Sequence, residues 1–173
     1  MTEQEIINAL SLLNTKLSEN QASGELCLFG GAVMVLVFRE RTATKDIDAI
    51  FYPSDVMRVC AEAVAQDLDL PNDWLNDGVK GFIVQPPAYH THPRLPQYDH
   101  LKILMPTPEY LLSMKCLASR IGAAQTDYAD AKALVKHIGY TKPKQVLALL
   151  EEYYPANLIP VRAQYFIEEL FHE

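Results

Sequence analysis

Two aspartates one residue apart, Asp46 and Asp48, stand in the run Thr44-Lys45-Asp46-Ile47-Asp48, and an adjacent glycine pair, Gly30-Gly31, precedes them. Side chains alternate faces along a strand, so carboxylates two positions apart point the same way. Like charges held that close repel unless a cation joins them. Mg²⁺ is satisfied by one or two carboxylates plus the phosphate oxygens of a substrate. A glycine pair opening a helix lets backbone approach a phosphate. Thr44 lies two residues before Asp46 and shares its face, so its hydroxyl could contact a phosphate or order a metal-bound water. The chemistry these residues suggest is a site for a nucleoside triphosphate and a divalent metal, Mg²⁺ or Mn²⁺. Each motif alone also has a plainer explanation: a tight turn between strand and helix, and the wet face of an ordinary strand. Their order along the chain favours the site.

The elements that must position these residues are legible in the patterning. Residues 26–29 form an apolar run of buried-strand length, residues 32–38 read as a buried helix, and Ala49, Ile50 and Phe51 continue the strand that carries the aspartates. An amphipathic helix opens the chain, with Ile6, Ile7, Leu10, Leu13 and Leu17 at helical spacing. A further helix starts at Pro53, runs through Val56, Val59, Ala63 and Leu68, and ends at Pro71. Residues 74–77 read as a short turn of helix or a loop, residues 79–84 as a strand, and residues 85–98, with four prolines and two histidines, as the longest loop. A strand follows at 101–105. The second half is helical: Thr107-Pro108-Glu109 caps a helix stopped by Gly122, the next spans about 127–138 and stops at Gly139, another starts at Thr141 with Pro143, and the last follows Pro160. The pattern predicts an α/β (α+β) fold: a mixed β-sheet core over 1–106 and a helical C-terminal part over 107–173.

Within the helical part, Lys115 projects from a partly apolar face beside Leu111, Leu112 and Ala118. Taken alone, such a lysine reads as laying its stem over that face. Asp127 and Asp130 share one helix face near a helix N-terminus, where capping and dipole complementation alone would explain them. His90, His92 and His100 lack closed-ligand spacing and read as solvated. Arg94 could reach a phosphate, Asn76 and Asp77 suit a turn or cap, and the aromatic C-terminus (Tyr153, Tyr154, Tyr165, Phe166, Phe171) fits packing better than base stacking.

The segment from Gly30-Gly31 to Asp46-Ile47-Asp48 resembles the core signature of the DNA polymerase β-like nucleotidyltransferase superfamily. The Thr-x-Asp-x-Asp form, the later stretch PEYLLSMKCLASR (108–120) followed by DYAD (127–130), and DWLNDGVKGF (73–82) look like its small bacterial branch, which holds abortive-infection-type (AbiEii-like) toxins. The resemblance covers nearly the whole chain. It implies a metal-dependent transfer of a nucleoside monophosphate from a triphosphate to an acceptor hydroxyl, with release of pyrophosphate. On that reading Asp46 and Asp48 bind Mg²⁺ or Mn²⁺ and Gly30, Gly31 and Thr44 cradle phosphate. Lys115 offsets developing charge, and Asp127, with Asp130 close behind, orients Lys115 or the metal. A third carboxylate is expected on the next core strand, where Asp99 is the candidate, or else from Asp127 or Asp130. The acceptor is RNA (a tRNA end among them), a protein or a small molecule. A catalytically weakened nucleotide- or partner-binding protein, or a toxin masked by an antitoxin, are the rival readings.

Composition bounds the rest. A chain of 173 residues with 49% hydrophobic content suits one compact globular domain. Its net charge of −7 argues against a broad surface that tracks phosphates, while leaving room for a local basic pocket among Arg39, Arg41, Lys45, Lys115 and Arg120. Cys27, Cys60 and Cys116 all lie in apolar segments, which suggests buried, reduced thiols. The opening MTEQEIINALSLL lacks a secretory pattern and no apolar run reaches membrane-spanning length, so a cytoplasmic location without membrane partners is expected.

Overall fold

The computed structural model describes residues 1–119 and 125–172. Among them, strands β1 (Gly24–Leu28), β2 (Ile47–Tyr52), β3 (Leu75–Asn76), β4 (Tyr89–His90) and β5 (Leu101–Pro106) form one mixed sheet in the order β3-β2-β1-β5-β4. Pairing is antiparallel for β1/β2 and β4/β5, and parallel for β1/β5 and β2/β3. The helices are α1 (Glu3–Glu19), α2 (Gly30–Val33), α3 (Ser54–Leu68), α4 (Pro108–Ala118), α5 (Gln125–Ile138), α6 (Pro143–Tyr153) and α7 (Val161–Glu169). The fold is therefore mixed α/β with helices at the C-terminus. The chain divides into two compact units, residues 1–80 with 89–106, and residues 81–88 with 107–173.

In the first unit the sheet has two unlike faces. Ile47, Ala49 and Phe51 of β2 are buried, and register places Leu26 and Leu28 of β1 beside Phe51 and Ala49 on that same face. Helices α1 and α3 pack against this side, burying Ile6, Leu10, Leu13 and Leu17 from one and Met57, Cys60 and Val64 from the other. A β-carbon on Gly24 would stand 2.5 Å from the Met57 sulfur, which is how closely α3 approaches the start of β1. Thr2 starts α1 through a reciprocal capping box with Glu5, and this satisfies two backbone donors that a helix start leaves open. The other face carries Asp48, Ile50 and Tyr52 beside Cys27 and Glu25, and β5 adds Lys102 there, paired to Glu25 at 3.2 Å. This more polar face holds the aspartates.

Three local expectations are corrected. Residues 79–84 do not form a strand: Gly78–Phe82 is a 3₁₀ turn, opened by the Asp77 carbonyl accepting from the Lys80 amide. A strand needs a neighbour to satisfy its backbone, and two glycines in this short run weaken extended pairing. Residues 74–77, read as helix or loop, instead contain β3. Trp74 anchors it, donating its indole N–H to the Ala61 carbonyl at 3.0 Å while its own carbonyl accepts from the Ile47 amide at 2.7 Å. The proline-rich 85–98 segment contains β4, where His90 pairs with Met105 and the Tyr89 ring meets Phe29 edge-on. Elsewhere α3 ends earlier than Pro71, at Leu68, with Asp69 in a left-handed conformation as its C-cap.

The second unit is built on α4, the most deeply buried of its helices. Thr107 caps it by accepting from the Tyr110 amide, Pro108 fits the first turn, and Glu109 complements the dipole. Residues 81–88 belong to this unit because Tyr110 donates to the Gln85 carbonyl and Tyr154 to the Phe82 carbonyl. The Tyr110 and Tyr153 rings meet edge-to-face at 4.8 Å. Gly139 stops α5 with φ +86°, a conformation that favours glycine. The expected stop at Gly122 lies outside the described residues.

All three thiols are free and buried. Burial pushes the Cys27, Cys60 and Cys116 thiols up, which lowers the reactive thiolate fraction near neutral pH. At pH 7.5 the folded protein is expected to resist thiol alkylation and to release three reactive thiols when unfolded in urea. A mass-spectrometric count of modified cysteines before and after unfolding checks this, and rapid labelling of the folded chain would contradict it.

Candidate functional site

The turn from β1 into α2 is tied to β2 at the aspartates. The Phe29 amide donates to the Asp48 carbonyl at 2.9 Å. Gly30 adopts φ +55°, and a β-carbon there would lie 2.9 Å from the Asp48 carboxylate. A β-carbon on Gly31 would lie 2.2 Å from the Thr44 hydroxyl and 3.1 Å from the Arg41 guanidinium. Both glycines are thus required by the chain's own side chains: one lets the Asp48 carboxylate approach backbone, the other seats Thr44 and Arg41. Beyond Val33 the helix widens into a π-helical segment, Met34–Phe38, and Arg39 ends it in a left-handed conformation at φ 58°. π-helical turns are often found at functional sites.

Asp48 lies within β2, and Asp46 sits immediately before it. Ile47 between them is fully buried on the opposite face. Asn76 stands across from Asp48 in the β2/β3 register, and its amide nitrogen approaches the Asp46 carboxylate at 3.4 Å. The Asn76 amide oxygen accepts from the Gly78 amide at 3.1 Å. That second bond fixes which end of the amide faces Asp46, because a backbone N–H requires the oxygen. Asn76 therefore borders both aspartates. It also does what the turn reading expected, but its role toward Asp46 depends on a strand pairing that local patterning does not show.

Thr44 differs from its expected role. It is buried, and its hydroxyl donates to the Asp46 carbonyl at 3.2 Å, so it fixes the backbone of Asp46. The Thr44 amide donates to the Met1 carbonyl at 2.9 Å, the terminal amine reaches the Thr44 carbonyl, and Thr2 bridges Ala43. Asp99 is not a third carboxylate here. It precedes β5, whose first residue pairs with Gly24 at the start of β1, whereas the glycine turn follows the end of β1. The five residues of β1 separate those ends, roughly 16 Å. Among the described residues, no three His, Cys, Asp or Glu side chains gather as a metal cage.

In the second unit, Lys115 meets both of its candidate partners. Its amine lies 2.8 Å from an Asp127 oxygen and 2.6 Å from an Asp130 oxygen. The Lys115 side chain is 13% exposed and that of Asp130 only 2%. Lys115 therefore does not snorkel; it joins α4 to α5 through both carboxylates. A buried carboxylate such as Asp130 persists only when paired. Asp127, 46% exposed, is the partner with access to solvent.

The remaining candidates have other employment. Arg94 donates to the Val37 carbonyl near the end of the π-helical segment, where a cation complements the helix dipole. The His92 ring accepts from the Arg94 amide, and the His100 ring lies 3.3 Å from the Ala22 carbonyl. Asp77 holds Arg58 and Lys80, each at 2.7 Å, and these bonds, Lys80 first, keep its carboxyl below the usual range. Both cations lie over the Phe51 ring. Lys45 is exposed, and Arg120 lies outside the described residues. Tyr154 is buried within the second unit, while Tyr165 is 66% exposed.

Two substitutions test these contacts. Asn76→Asp brings a second carboxylate to the Asp46 oxygen. It is expected to cost about 1 kcal/mol at pH 7, the scale of two charges about 4 Å apart in water. Repulsion raises the folded-state carboxyl pKa, so the deficit is present above it and fades as pH falls through the carboxylate range. Urea unfolding at pH 7 and pH 4 checks the sign, and a deficit that grows on acidification contradicts the contact. Lys115→Met removes the amine 2.6 Å from the nearly buried Asp130 carboxylate and is expected to cost about 3–5 kcal/mol at pH 7. Asp130→Asn in the same background should recover most of that loss in the same assay. No protein-family model, curated protein or solved structure matches this chain.

Proposed function

We propose that this protein is a metal-dependent nucleotidyltransferase of the DNA polymerase β-like kind. The observation that carries the reading is the placement of Asp46 and Asp48. They border one asparagine on the polar face of the sheet, with the Asp48 carboxylate against the backbone of the glycine turn. The donor set suits Mg²⁺ or Mn²⁺: two hard carboxylates, with the other positions left to water and substrate phosphate. When bound, the ion supplies Lewis-acid polarisation of the phosphate and activation of an attacking oxygen. Asp46 and Asp48 would hold it, while Asn76 and Thr44 keep Asp46 in place. In the reaction an acceptor hydroxyl oxygen bonds to the α-phosphorus, the bond from that phosphorus to the pyrophosphate oxygen breaks, and the hydroxyl proton leaves to solvent. The family resemblance gives Lys115 a charge-offsetting role; within its own unit its amine is held by Asp127 and Asp130. The acidic chain favours a protein or small-molecule acceptor over RNA.

A second reading has its own support. The part of β5 that lies beside the glycine turn, Leu104, Met105 and Pro106, carries no carboxylate. A two-carboxylate site suits a protein that binds nucleotide, or a partner such as an antitoxin, without transfer. Among the described residues no helix is long and apolar enough to cross a membrane.

Incubation with α-labelled nucleoside triphosphates, Mg²⁺ or Mn²⁺, and separate pools of RNA, protein and small metabolites tests transfer. Label is expected in one pool and should fall by about two orders of magnitude in Asp46→Asn, with the melting temperature nearly unchanged because no core volume is lost. Metal-dependent nucleotide binding without label in any pool would replace transfer by the second reading. Equal activity in Asp46→Asn would remove the proposed site.

A further inference from the structure

Helix α7 has one side in the core of the second unit and one side bare. Ala163, Phe166 and Ile167 are buried, and the Phe166 ring meets Tyr128 of α5 edge-to-face at 6.2 Å. On the outer side Val161 and Tyr165 stand four positions apart, so they are neighbours on the helix surface, and they are 65% and 66% exposed. Leu158, in the 3₁₀ turn Ala156–Leu158 just before the helix, is 49% exposed. Large apolar side chains exposed singly are ordinary, but a run of them in one short stretch marks an interaction surface.

The charges on α7 run against its dipole. Arg162 lies in the first turn, at the positive end, and Glu168 and Glu169 lie in the last turn, at the negative end. Their own helix disfavours all three. Among the described residues neither glutamate carboxylate has an ion-pair partner. Arg162 donates Nε to the Ser119 carbonyl at 2.7 Å, which orients the guanidinium and uses one of its five donors. Arg162 and Glu169 are seven positions apart, two helical turns, so they share one flank of the apolar stripe at a separation of about 10 Å. That is too far to pair within the helix. Across a two-fold axis beside Tyr165, a second α7 running antiparallel would bring each Arg162 to the Glu169 of the other copy. Antiparallel packing also opposes the two helix dipoles, so each misplaced charge gains an opposite one.

We propose that the outer side of α7 is a self-association surface: a second copy of this chain packs antiparallel on it, with Val161 and Tyr165 at the centre and two reciprocal Arg162–Glu169 ion pairs on the flank. The occupant is a second copy because one helix carries both halves of the pair, at the spacing that a two-fold contact needs. An apolar centre with a charged rim is the usual anatomy of a protein interface, and tyrosine and arginine are enriched there. One helix of nine residues offers little area, so the dimer is reversible. The surface belongs to the second unit alone and rests on neither reading of the carboxylate site.

Sedimentation equilibrium of the full chain, from micromolar to millimolar concentration, tests it. The average mass is expected to rise with concentration from 19.5 kDa toward twice that value, and to rise less at high salt. Glu169→Arg and Arg162→Glu each set like charges against one another at both pairs and should weaken association by about tenfold or more. Mixed in equal amounts, the two variants should associate again, because each reversed charge then meets an opposite one. An effect confined to one chain gives no such rescue. Tyr165→Ser should weaken the dimer without changing charge. Arg162→Glu also gives up the Ser119 bond, so thermal melts establish that each variant is folded; if that one is not, Glu169→Arg and Tyr165→Ser decide. Association unchanged in either of those two variants, or folded charge variants that stay monomeric when mixed, would overturn the proposal. A chain that stays monomeric throughout would also overturn it and leave the surface to an unlike partner.

Discussion

Everything at the proposed centre rests on a near-contact between backbone and side chain that only glycine permits. Where β1 turns into α2, the Asp48 carboxylate, the Thr44 hydroxyl and the Arg41 guanidinium occupy the space two β-carbons would need. This contact joins the turn to the segment before β2. It sets the angle at which the helix leaves the sheet and brings a carboxylate to the helix start. Hydrogen bonds from Phe29 to Asp48 and from Thr44 to Asp46 then hold the same juxtaposition from the backbone side. A small set of local constraints thus fixes the carboxylates before any ligand is considered, which is what a preorganised site requires.

The two units solve the problem of charge in different ways. In the first, Asp46 and Asp48 stay on a partly exposed face, with the Asn76 amide beside Asp46. In the second, Asp130 is almost fully buried, and the Lys115 amine supplies the compensation. Buried ion groups contribute little net stability when intact and cost much when broken. The Lys115 contacts are therefore better understood as fixing how α4 meets α5 than as a source of stability.

Much of this was readable from residue order. The alternation around Ile47 put both aspartates on one face. Thr107-Pro108-Glu109 marked the start of α4, and Gly139 marked the end of α5. What escaped shares one physical cause. β3 and β4 are two residues long, too short to carry a period, and each exists because a neighbour offers unpaired backbone. The apolar run at 79–84 had a strand's composition but turns back at Gly78–Phe82 instead. Asn76 looked like an ordinary turn residue because its second contact, with Asp46, spans thirty positions of sequence. Thr44 was placed on the correct stretch but turns its hydroxyl inward.

The strand order also constrains how the first unit acquires its structure during synthesis. β1 sits at the centre of the sheet, yet its parallel neighbour β5 follows it by more than seventy residues, as the Glu25–Lys102 pairing shows. Until Pro106 has emerged, one edge of β1 has no partner and its amides remain open to any other extended chain. β1 and β2 can pair early, and α1 and α3 can cover their apolar side, but the sheet stays unfinished. The nascent chain passes through a half-sheet whose vulnerable edge is the strand that leads into the glycine turn. Translation speed and chaperone access across residues 53–100 therefore bear on the yield of properly assembled protein.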